Sequence, residues 1–211
     1  MPSKSTTNPA IGSEHRDAML HSLTLSLEDP HGTLLGLDPV LEREGYSHEE
    51  IRSAFGCIDD LLVAIAERKA AYLTTPLTQS QRIDDLDLVR RVLTEFGTHA
   101  WREYSSSIIA LVRLMMAEGA RSPDLRKRVY DAGPASVALE LRKFFSRAHA
   151  LGVLSVSDAH LAAEQLMGML REPLYQALML HPASPATPVD ASGPVSASID
   201  LVLDGCARGQ A

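Results

Sequence analysis

Apolar residues recur three and four positions apart through most of this chain, and that helical spacing restricts its possible folds more than any other feature. Hydrophobic residues make up 45% of the chain, with Leu and Ala dominant and aromatic residues at only 5%. This composition favours helices over strands. No stretch shows the strict alternation of a half-buried β-strand, so the sequence predicts an all-α protein.

Turn residues separate the helical segments and predict where each one ends. Asp38 followed by Pro39 is typical of an N-cap and a first helical residue, and Thr74-Thr75-Pro76 is typical of a helix end. Gly133-Pro134 indicates a new helix start, and Pro173 indicates a kink or an end. We expect helices over residues 14–28, 39–44, 84–104, 106–119, 123–131, 135–150, 157–180 and 196–207, with two more from Ser47 to about Phe55 and from Ile58 to Tyr72.

Two short helices joined by a glycine turn stand near the N-terminus. Gly45 suits the left-handed backbone that ends a helix, and Ser47 with Glu50 forms a capping box that starts the next one. Ile51 and Phe55 of that second helix are spaced to face the core. Two such helices within a three-helix unit describe a helix-turn-helix, which is a DNA-binding motif.

The stretch LLGLDPVLEREGYSHEEIRSAF, which ends at Phe55, resembles the corresponding part of the tetracycline-repressor (TetR) family. The apolar, turn and recognition-helix positions of that pattern are occupied by Leu37, Val40, Leu41, Gly45, Ser47, Ile51 and Phe55. Residues 55–62, FGCIDDLL, are similar to the Phe-x-x-Lys-Glu-Glu-Leu-Leu entry into the family's fourth helix. Residues 115–125 and 152–158 resemble segments in the C-terminal half of one branch of the family.

The resemblance implies an N-terminal three-helix head of the helix-turn-helix type and a C-terminal helical body for ligand binding and dimerisation. It also implies a ligand-responsive transcriptional regulator, of the repressor type, that binds operator DNA as a homodimer. We expect a disordered tail over 1–13, the head over 14–56, the ligand-binding and dimerisation domain over 57–181, a linker over 182–195, and a C-terminal helix and tail over 196–211.

The charge of the head opposes the DNA binding that the resemblance implies. The candidate DNA contacts are Thr33, Arg43, Ser47, His48 and Arg52. Between residues 14 and 60, three arginines stand against eleven acidic residues, which gives a net charge of −8. Phosphate contacts need Lys, Arg or backbone N–H groups. The alternative therefore stays open that the chain is a TetR-like homodimer that has lost DNA binding and acts through protein or small-molecule binding.

By the resemblance, the central helices of the body hold a pocket for a small apolar or amphipathic effector. The candidate lining residues are Phe96, His99, Trp101, Tyr104, Leu111, Met115 and Met116. His99 and Tyr104 are the candidate polar anchors among them. The same spacing of aromatic residues and methionines is also typical of an ordinary helical core.

The resemblance further implies that two long helices pair with those of a second copy in a four-helix bundle across a two-fold axis. The candidate interface residues are Val137, Leu141, Phe144 and Phe145 in one helix, and Leu161, Ala162, Gln165, Leu166, Met169 and Leu170 in the other. The alternative is that both faces pack only within a single chain.

Other chemistries have no support in the sequence. The eight histidines lack a metal-ligand spacing, and the G-x-S-x-G, P-loop and G-x-G-x-x-G motifs are absent. We therefore expect no enzyme activity, no metal and no cofactor. The two cysteines fit a reducing cytoplasm, and no apolar run approaches the roughly 18 residues of a membrane span, so we expect a cytoplasmic protein without a membrane partner.

Overall fold

The computed structural model describes residues 9–27, 36–80, 82–118, 122–180 and 190–206. Within these ranges every regular element is helical and no strand occurs, as the sequence predicts. The helices are α1 (Pro9–Ser26), α2 (Leu37–Glu44), α3 (His48–Phe55), α4 (Ile58–Gln79), α5 (Leu86–Tyr104), α6 (Ser107–Glu118), α7 (Pro123–Tyr130), α8 (Ser136–Ala150), α9 (Ala159–Leu180) and α10 (Ser192–Cys206). None of these helices is both long and apolar enough to cross a membrane.

Two hydrophobic clusters organise the molecule. The head cluster joins α1, α2 and α3 to the first half of α4, and it extends to residues of α6 and α7 such as Leu114 and Leu125. The body cluster joins the second half of α4 to α5, α8, α9 and α10. Helix α4 is therefore common to both cores, and it connects the head to the body rigidly because each half is buried against its own neighbours.

Helix α4 runs past Pro76, where the sequence predicted its end. The apolar face of the helix continues beyond the proline, because Leu73 and Leu77 are both buried in the body cluster. Burying one leucine contributes about 1.5–3 kcal/mol, so this packing offsets the cost of about 3 kcal/mol for a proline inside a helix. The hydroxyls of Thr74 and Thr75 also bond back to carbonyl oxygens one turn earlier, at 2.8 and 2.9 Å.

Helices α7 and α8 are joined through a π-helical turn at Asp131–Ala135 instead of the predicted break. Pro134 cannot donate a backbone hydrogen bond, and a π turn is one of the known ways in which a helix continues through an irregular position. Gly133 in this turn lies against α4, where a Cβ added to the glycine would be 3.6 Å from the Cβ of Ala66. The close packing of this turn on α4 keeps α7 and α8 in line.

Several helix starts differ from those that the sequence predicted. Helix α1 begins at Pro9 and α10 at Ser192, so each includes residues that were assigned to a tail or a linker. Helix α2 begins one residue before Asp38, with Gly36 as its N-cap, because Leu37 is buried in the head cluster. Helix α9 continues through position 173 instead of ending there.

Candidate functional site

The turn between α2 and α3 has the geometry that the sequence predicted. Gly45 has a φ of 75° and lies in the left-handed region, and Tyr46 N donates to Leu41 O at 2.9 Å. The Ser47 hydroxyl accepts from Glu50 N at 3.2 Å, and a Glu50 carboxylate oxygen accepts from Ser47 N at 2.8 Å. These bonds satisfy backbone donors at the start of α3 and fix its direction relative to α2.

The capping box also affects the ionisation of the Glu50 carboxyl at the N-terminus of α3. The hydrogen bond from the Ser47 backbone N–H, followed by the bond from its hydroxyl, lowers the pKa of Glu50 below its usual value. Glu50 therefore stays negative at neutral pH. The Ser47 hydroxyl donates to the same carboxylate at 2.7 Å, so this candidate phosphate partner is engaged within the head.

Two more of the candidate DNA contacts, in addition to Ser47, make interactions within the head. Arg43 donates to the hydroxyl and the carbonyl oxygen of Ser26 at the end of α1, with 2.9 Å between Nε and Oγ. The ring of His48 lies 3.1 Å from an Asp38 carboxylate oxygen. Neither contact could be predicted from the sequence, because each depends on how α2 packs against its neighbours.

Arg52 is exposed like Arg43, Ser47 and His48, but it differs from them because its side chain forms no hydrogen bond or ion pair within the described residues. Arg16, a cation outside the predicted set, lies over the ring of Phe55 with its guanidinium carbon 4.8 Å from the ring centre. Thr33 lies outside the described residues. The described head therefore offers Arg52 as its most available cation for a phosphate.

A cavity of about 100 Å³ lies in the body beside α4. Its lining residues are Ala66, Lys69, Ala70, Leu73, Tyr104, Ile108, Leu111, Val112, Met115, Val129, Gly133, Pro134, Val137 and Met167. The wall is almost entirely apolar and comes from α4, α6, the α7–α8 segment and α9, with one residue from the end of α5. A mostly apolar cavity between several helices is a candidate small-molecule site.

The structure places three of the seven predicted pocket residues in the cavity wall, namely Tyr104, Leu111 and Met115. The others correct the prediction. Phe96 and Trp101 are packed into the body cluster, and Met116 is 65% exposed. His99 stacks on Tyr72 at 4.5 Å and lies in an open groove on the outer side of α5. Helical spacing identified an apolar stripe but could not divide it between core, cavity and surface.

Lys69 is a cavity residue that the sequence analysis missed. Its ammonium nitrogen lies 2.8 Å from a Glu103 carboxylate oxygen, and both side chains are less than a tenth exposed. The Ser107 hydroxyl, which is fully buried, donates to the same carboxylate at 2.5 Å. The three residues belong to α4, α5 and α6, so this polar cluster fixes three cavity-forming elements together. Burial also raises the pKa of the neighbouring Tyr104, which keeps its phenol neutral.

Six of the ten predicted dimer residues are enclosed within the chain, which corrects that part of the prediction. Their exposed fractions are 5% or less, and they are Val137, Leu141, Phe144, Phe145, Leu166 and Leu170. They form the interface between α8 and α9 and pack against the rest of the body cluster. The face of α8 therefore packs within a single chain, which was the alternative to an interface between two copies.

The other four predicted dimer residues line a surface groove of about 600 Å³ between α9 and α10. Leu161, Ala162, Gln165 and Met169 share this groove with residues of α10. Leu161 is 51% exposed and Leu201 of α10 is 64% exposed. The outward apolar surface of the body is thus built from α9 and α10 rather than from α8 and α9.

The first turn of α4 also contacts α7. Arg128 donates to an Asp60 carboxylate oxygen, and the bond from Arg128, followed by that from Cys57, lowers the pKa of Asp60. The Ser122 hydroxyl, the N-cap of α7, lies 3.5 Å from an Asp59 carboxylate oxygen. The start of α4, directly after the head, is therefore bonded to a helix that also forms part of the cavity wall.

Residues 91–205, more than half of the chain, match the C-terminal domain of AefR-like transcriptional repressors. No curated protein matches the chain significantly in sequence. A structure described as a TetR-family transcriptional regulator from Mesorhizobium loti MAFF303099 has a TM-score of 0.65 at 17% identity, over 92% of this chain and 97% of that one.

Other solved structures share the fold. The flavonoid-responsive regulator FrrA has a TM-score of 0.60 at 21% identity, over 94% of this chain and 100% of its own. PfmR, a TetR-family regulator from Thermus thermophilus, has a TM-score of 0.57 at 18% identity, over 90% of this chain and 99% of its own. These proteins are regulators rather than enzymes. Because the matching domain covers more than half of the chain and the structural match extends over 92% of it, the chain belongs to the TetR family of transcriptional regulators.

Proposed function

We propose that the chain is a homodimeric transcriptional repressor that binds operator DNA and responds to a small apolar or amphipathic effector. The observation that carries the proposal is the position of α4. Its first half, including Leu61 and Ile65, packs in the head cluster, and its second half, including Lys69 and Leu73, forms a wall of the cavity. An effector that fits only one position of α4 would therefore change the position of the head.

The apolar wall of the cavity supports the effector class. FrrA, which has the same fold, is named as a flavonoid-responsive regulator. We extend to this chain only the idea that the body takes up an apolar small molecule. We also propose that residues 14–56 form the head and that residues 57–181 form the ligand-binding and dimerisation body.

DNA contact in this proposal falls on α3 and its N-terminus. Arg52 is the cation available to a phosphate, His48 is exposed at the first residue of the helix, and backbone N–H groups nearby can also contact phosphates. Arg43 helps to hold α2 against α1. Two heads related by the two-fold axis would meet half-sites about one turn of DNA apart.

A second candidate function keeps the effector cavity and the homodimer but not DNA binding. The observation that favours it is the charge of α3, where Glu49 and Glu50 stand at the N-terminus and Arg52 is the one arginine or lysine. A polyanion is repelled by such a surface at long range. In this case the head would meet a protein partner.

A gel-shift titration with genomic fragments that include the chain's own upstream region separates the two functions. For the repressor we expect specific binding at low salt, and a loss of about ten- to hundredfold for Arg52→Ala, the order of one lost contact of 1–3 kcal/mol. Arg126→Ala is the matched control, because Arg126 is equally exposed but lies on α7 of the body.

One result would count against the repressor, and another against the assignment of Arg52. Absence of any specific complex at low salt would favour the second candidate. Equal affinities of the Arg52→Ala variant and the unsubstituted protein would remove Arg52, and with it the main cation of the head, from the DNA interface.

A further inference from the structure

The cavity beside α4 contains one charged lining residue, Lys69, and its charge is already balanced. The Lys69 ammonium pairs with Glu103 at 2.8 Å, and Ser107 donates to the same carboxylate. Both charged side chains are less than a tenth exposed, so water screens the pair poorly. A molecule entering the cavity therefore meets a polar but electrically neutral cluster.

This balance decides which molecules the cavity can accept. A carboxylate placed beside the pair would add a second negative charge next to Glu103, and an ammonium would add a second positive charge next to Lys69. A buried charge is unfavourable unless it gains a partner of opposite sign, and here each partner is already engaged. A neutral molecule does not meet this penalty.

The size of the cavity limits the molecule further. A dry apolar cavity of roughly 150 Å³ in another protein accepts benzene, and this one measures about 100 Å³. Met115 and Met167 line it from two sides, and methionine side chains adjust their shape readily. A single ring or an alkyl group of similar volume fits with a small rearrangement of these two side chains.

We infer that the cavity selects an uncharged, single-ring-sized apolar molecule that carries one hydroxyl or similar polar group directed at Lys69 and Tyr104. Both residues line the cavity, and they are the two lining residues whose side chains carry a nitrogen or an oxygen atom. This inference rests on the proposed effector-binding function of the body. It adds that the effector is neutral and that the Lys69–Glu103 pair is what excludes charged analogues.

Four probes of similar shape test the inference by calorimetric titration of the full-length protein without DNA. They are 4-methylphenol, toluene, 4-methylbenzoate and 4-methylbenzylamine. We expect 4-methylphenol to bind most tightly, toluene more weakly, and the two ions at least tenfold more weakly than 4-methylphenol. Binding of either ion as tight as that of 4-methylphenol would overturn the inference, and so would the absence of binding by all four.

A substitution in the Lys69–Glu103 pair should change the charge of the ligand that the cavity accepts. Glu103→Gln keeps the shape of the side chain but removes the carboxylate charge that pairs with Lys69, so the carboxylate of a ligand can take its place and 4-methylbenzoate should gain at least tenfold in affinity. Glu140→Gln is the matched control, because Glu140 pairs with Lys143 on the surface of α8 and should leave all four affinities unchanged. Unchanged exclusion of benzoate by a folded Glu103→Gln protein would show that the pair does not determine the charge of the ligand.

A second variant covers the case in which Glu103→Gln does not fold. The double variant Lys69→Met/Glu103→Leu replaces the pair with apolar side chains, a change that folded proteins often tolerate. The double variant should still bind toluene, and 4-methylphenol should no longer bind more tightly than toluene. These measurements need no operator, so failure of DNA binding leaves them interpretable, and failure of neutral-ligand selection leaves the repressor function to be judged by the gel shift.

Discussion

Single residues at the α2–α3 turn determine the backbone conformation there through contacts within the turn itself. Gly45 adopts the left-handed backbone, and Ser47 and Glu50 cap α3 reciprocally. The neighbouring Arg43 behaves differently, because its partner Ser26 belongs to another helix. A residue whose partner lies within one turn is predictable from sequence, whereas a residue whose partner lies on another element is not.

Removal of the cap should destabilise the head by a modest amount. Ser47→Ala deletes the side-chain acceptor for Glu50 N, and loss of such a cap typically costs about 1 kcal/mol. For a chain of this length that corresponds to a fall in Tm of about 2–4 °C. Ser53→Ala is the matched control, since Ser53 is exposed in the middle of α3, and an equal fall for that variant would contradict the capping account.

The loss of stability caused by Ser47→Ala should depend on pH. The backbone N–H of Ser47 and then its hydroxyl lower the pKa of Glu50 in the folded state. Ser47→Ala removes only the part that comes from the hydroxyl, and that part of the stability is complete above the unfolded pKa of about 4.3. It is lost as the pH falls through the lower folded pKa. The Tm difference between the unsubstituted protein and Ser47→Ala should therefore shrink in strongly acidic buffer, and a difference that grows there would have the wrong sign.

At the scale of elements, the packing of α10 on α5 depends on one glycine. A Cβ at Gly97 would lie 2.7 Å from Val195 Cγ1 of α10 and 3.5 Å from Leu170 Cδ2 of α9. Helices α5 and α10 are further joined by an ion pair between Arg90 and Asp200. Because that pair is largely exposed, the close apolar contact contributes more to holding α10 in place.

Substitution of this glycine should loosen α10. In Gly97→Ala, the overpacking cost of about 1–3 kcal/mol exceeds the gain of about 1 kcal/mol for alanine over glycine in a helix. We expect a net loss of stability in urea denaturation, and the double variant Gly97→Ala/Val195→Ala should recover part of it.

The control for this experiment is Gly12→Ala. A Cβ at Gly12 in α1 meets no atom within 4 Å, so this substitution should be neutral or stabilising. If Gly97→Ala were as stable as Gly12→Ala, the close approach of α5 and α10 would not be a feature of the folded protein.

At the scale of the whole molecule, the proposed partner surface is the groove between α9 and α10. Leu161 and Leu201 are more than half exposed on it, and large apolar side chains exposed together in a groove with polar residues at its edge are typical of an interaction surface. Burial raises the pKa of the Cys206 thiol at the edge of the groove, so this cysteine stays protonated at neutral pH. We propose a second copy of the chain as the partner.

Charges on this surface should separate the two copies. Leu161→Glu/Leu201→Glu places carboxylates across the two-fold interface, and we expect sedimentation velocity at tens of micromolar to show the mass falling by half. Leu139→Glu is the control, because Leu139 is an exposed leucine of α8 outside the groove. A monomeric unsubstituted protein, or a double variant that stays dimeric, would contradict the proposed interface.

Much of the fold was predictable because its determinants are local. The Gly45 turn and the capping box both lie within one helical turn of the backbone groups that they serve. The end of α4 and the unbroken junction between α7 and α8 were not predictable, since burial of Leu77 and packing of Gly133 outweigh the breaking tendency of the nearby prolines. Tertiary contacts there exceed a local preference of about 3 kcal/mol.

The sequence by itself determined that the chain is helical, where its head lies, and that several helices carry apolar faces. Only the tertiary structure decided what covers each face. Leu141 and Phe145 are buried within the chain, Leu161 is exposed, and Lys69 forms an ion pair with Glu103 of a different helix beside the cavity. The physical reason is that helical spacing determines which side of a helix is apolar, whereas burial of that side depends on where all the other helices lie.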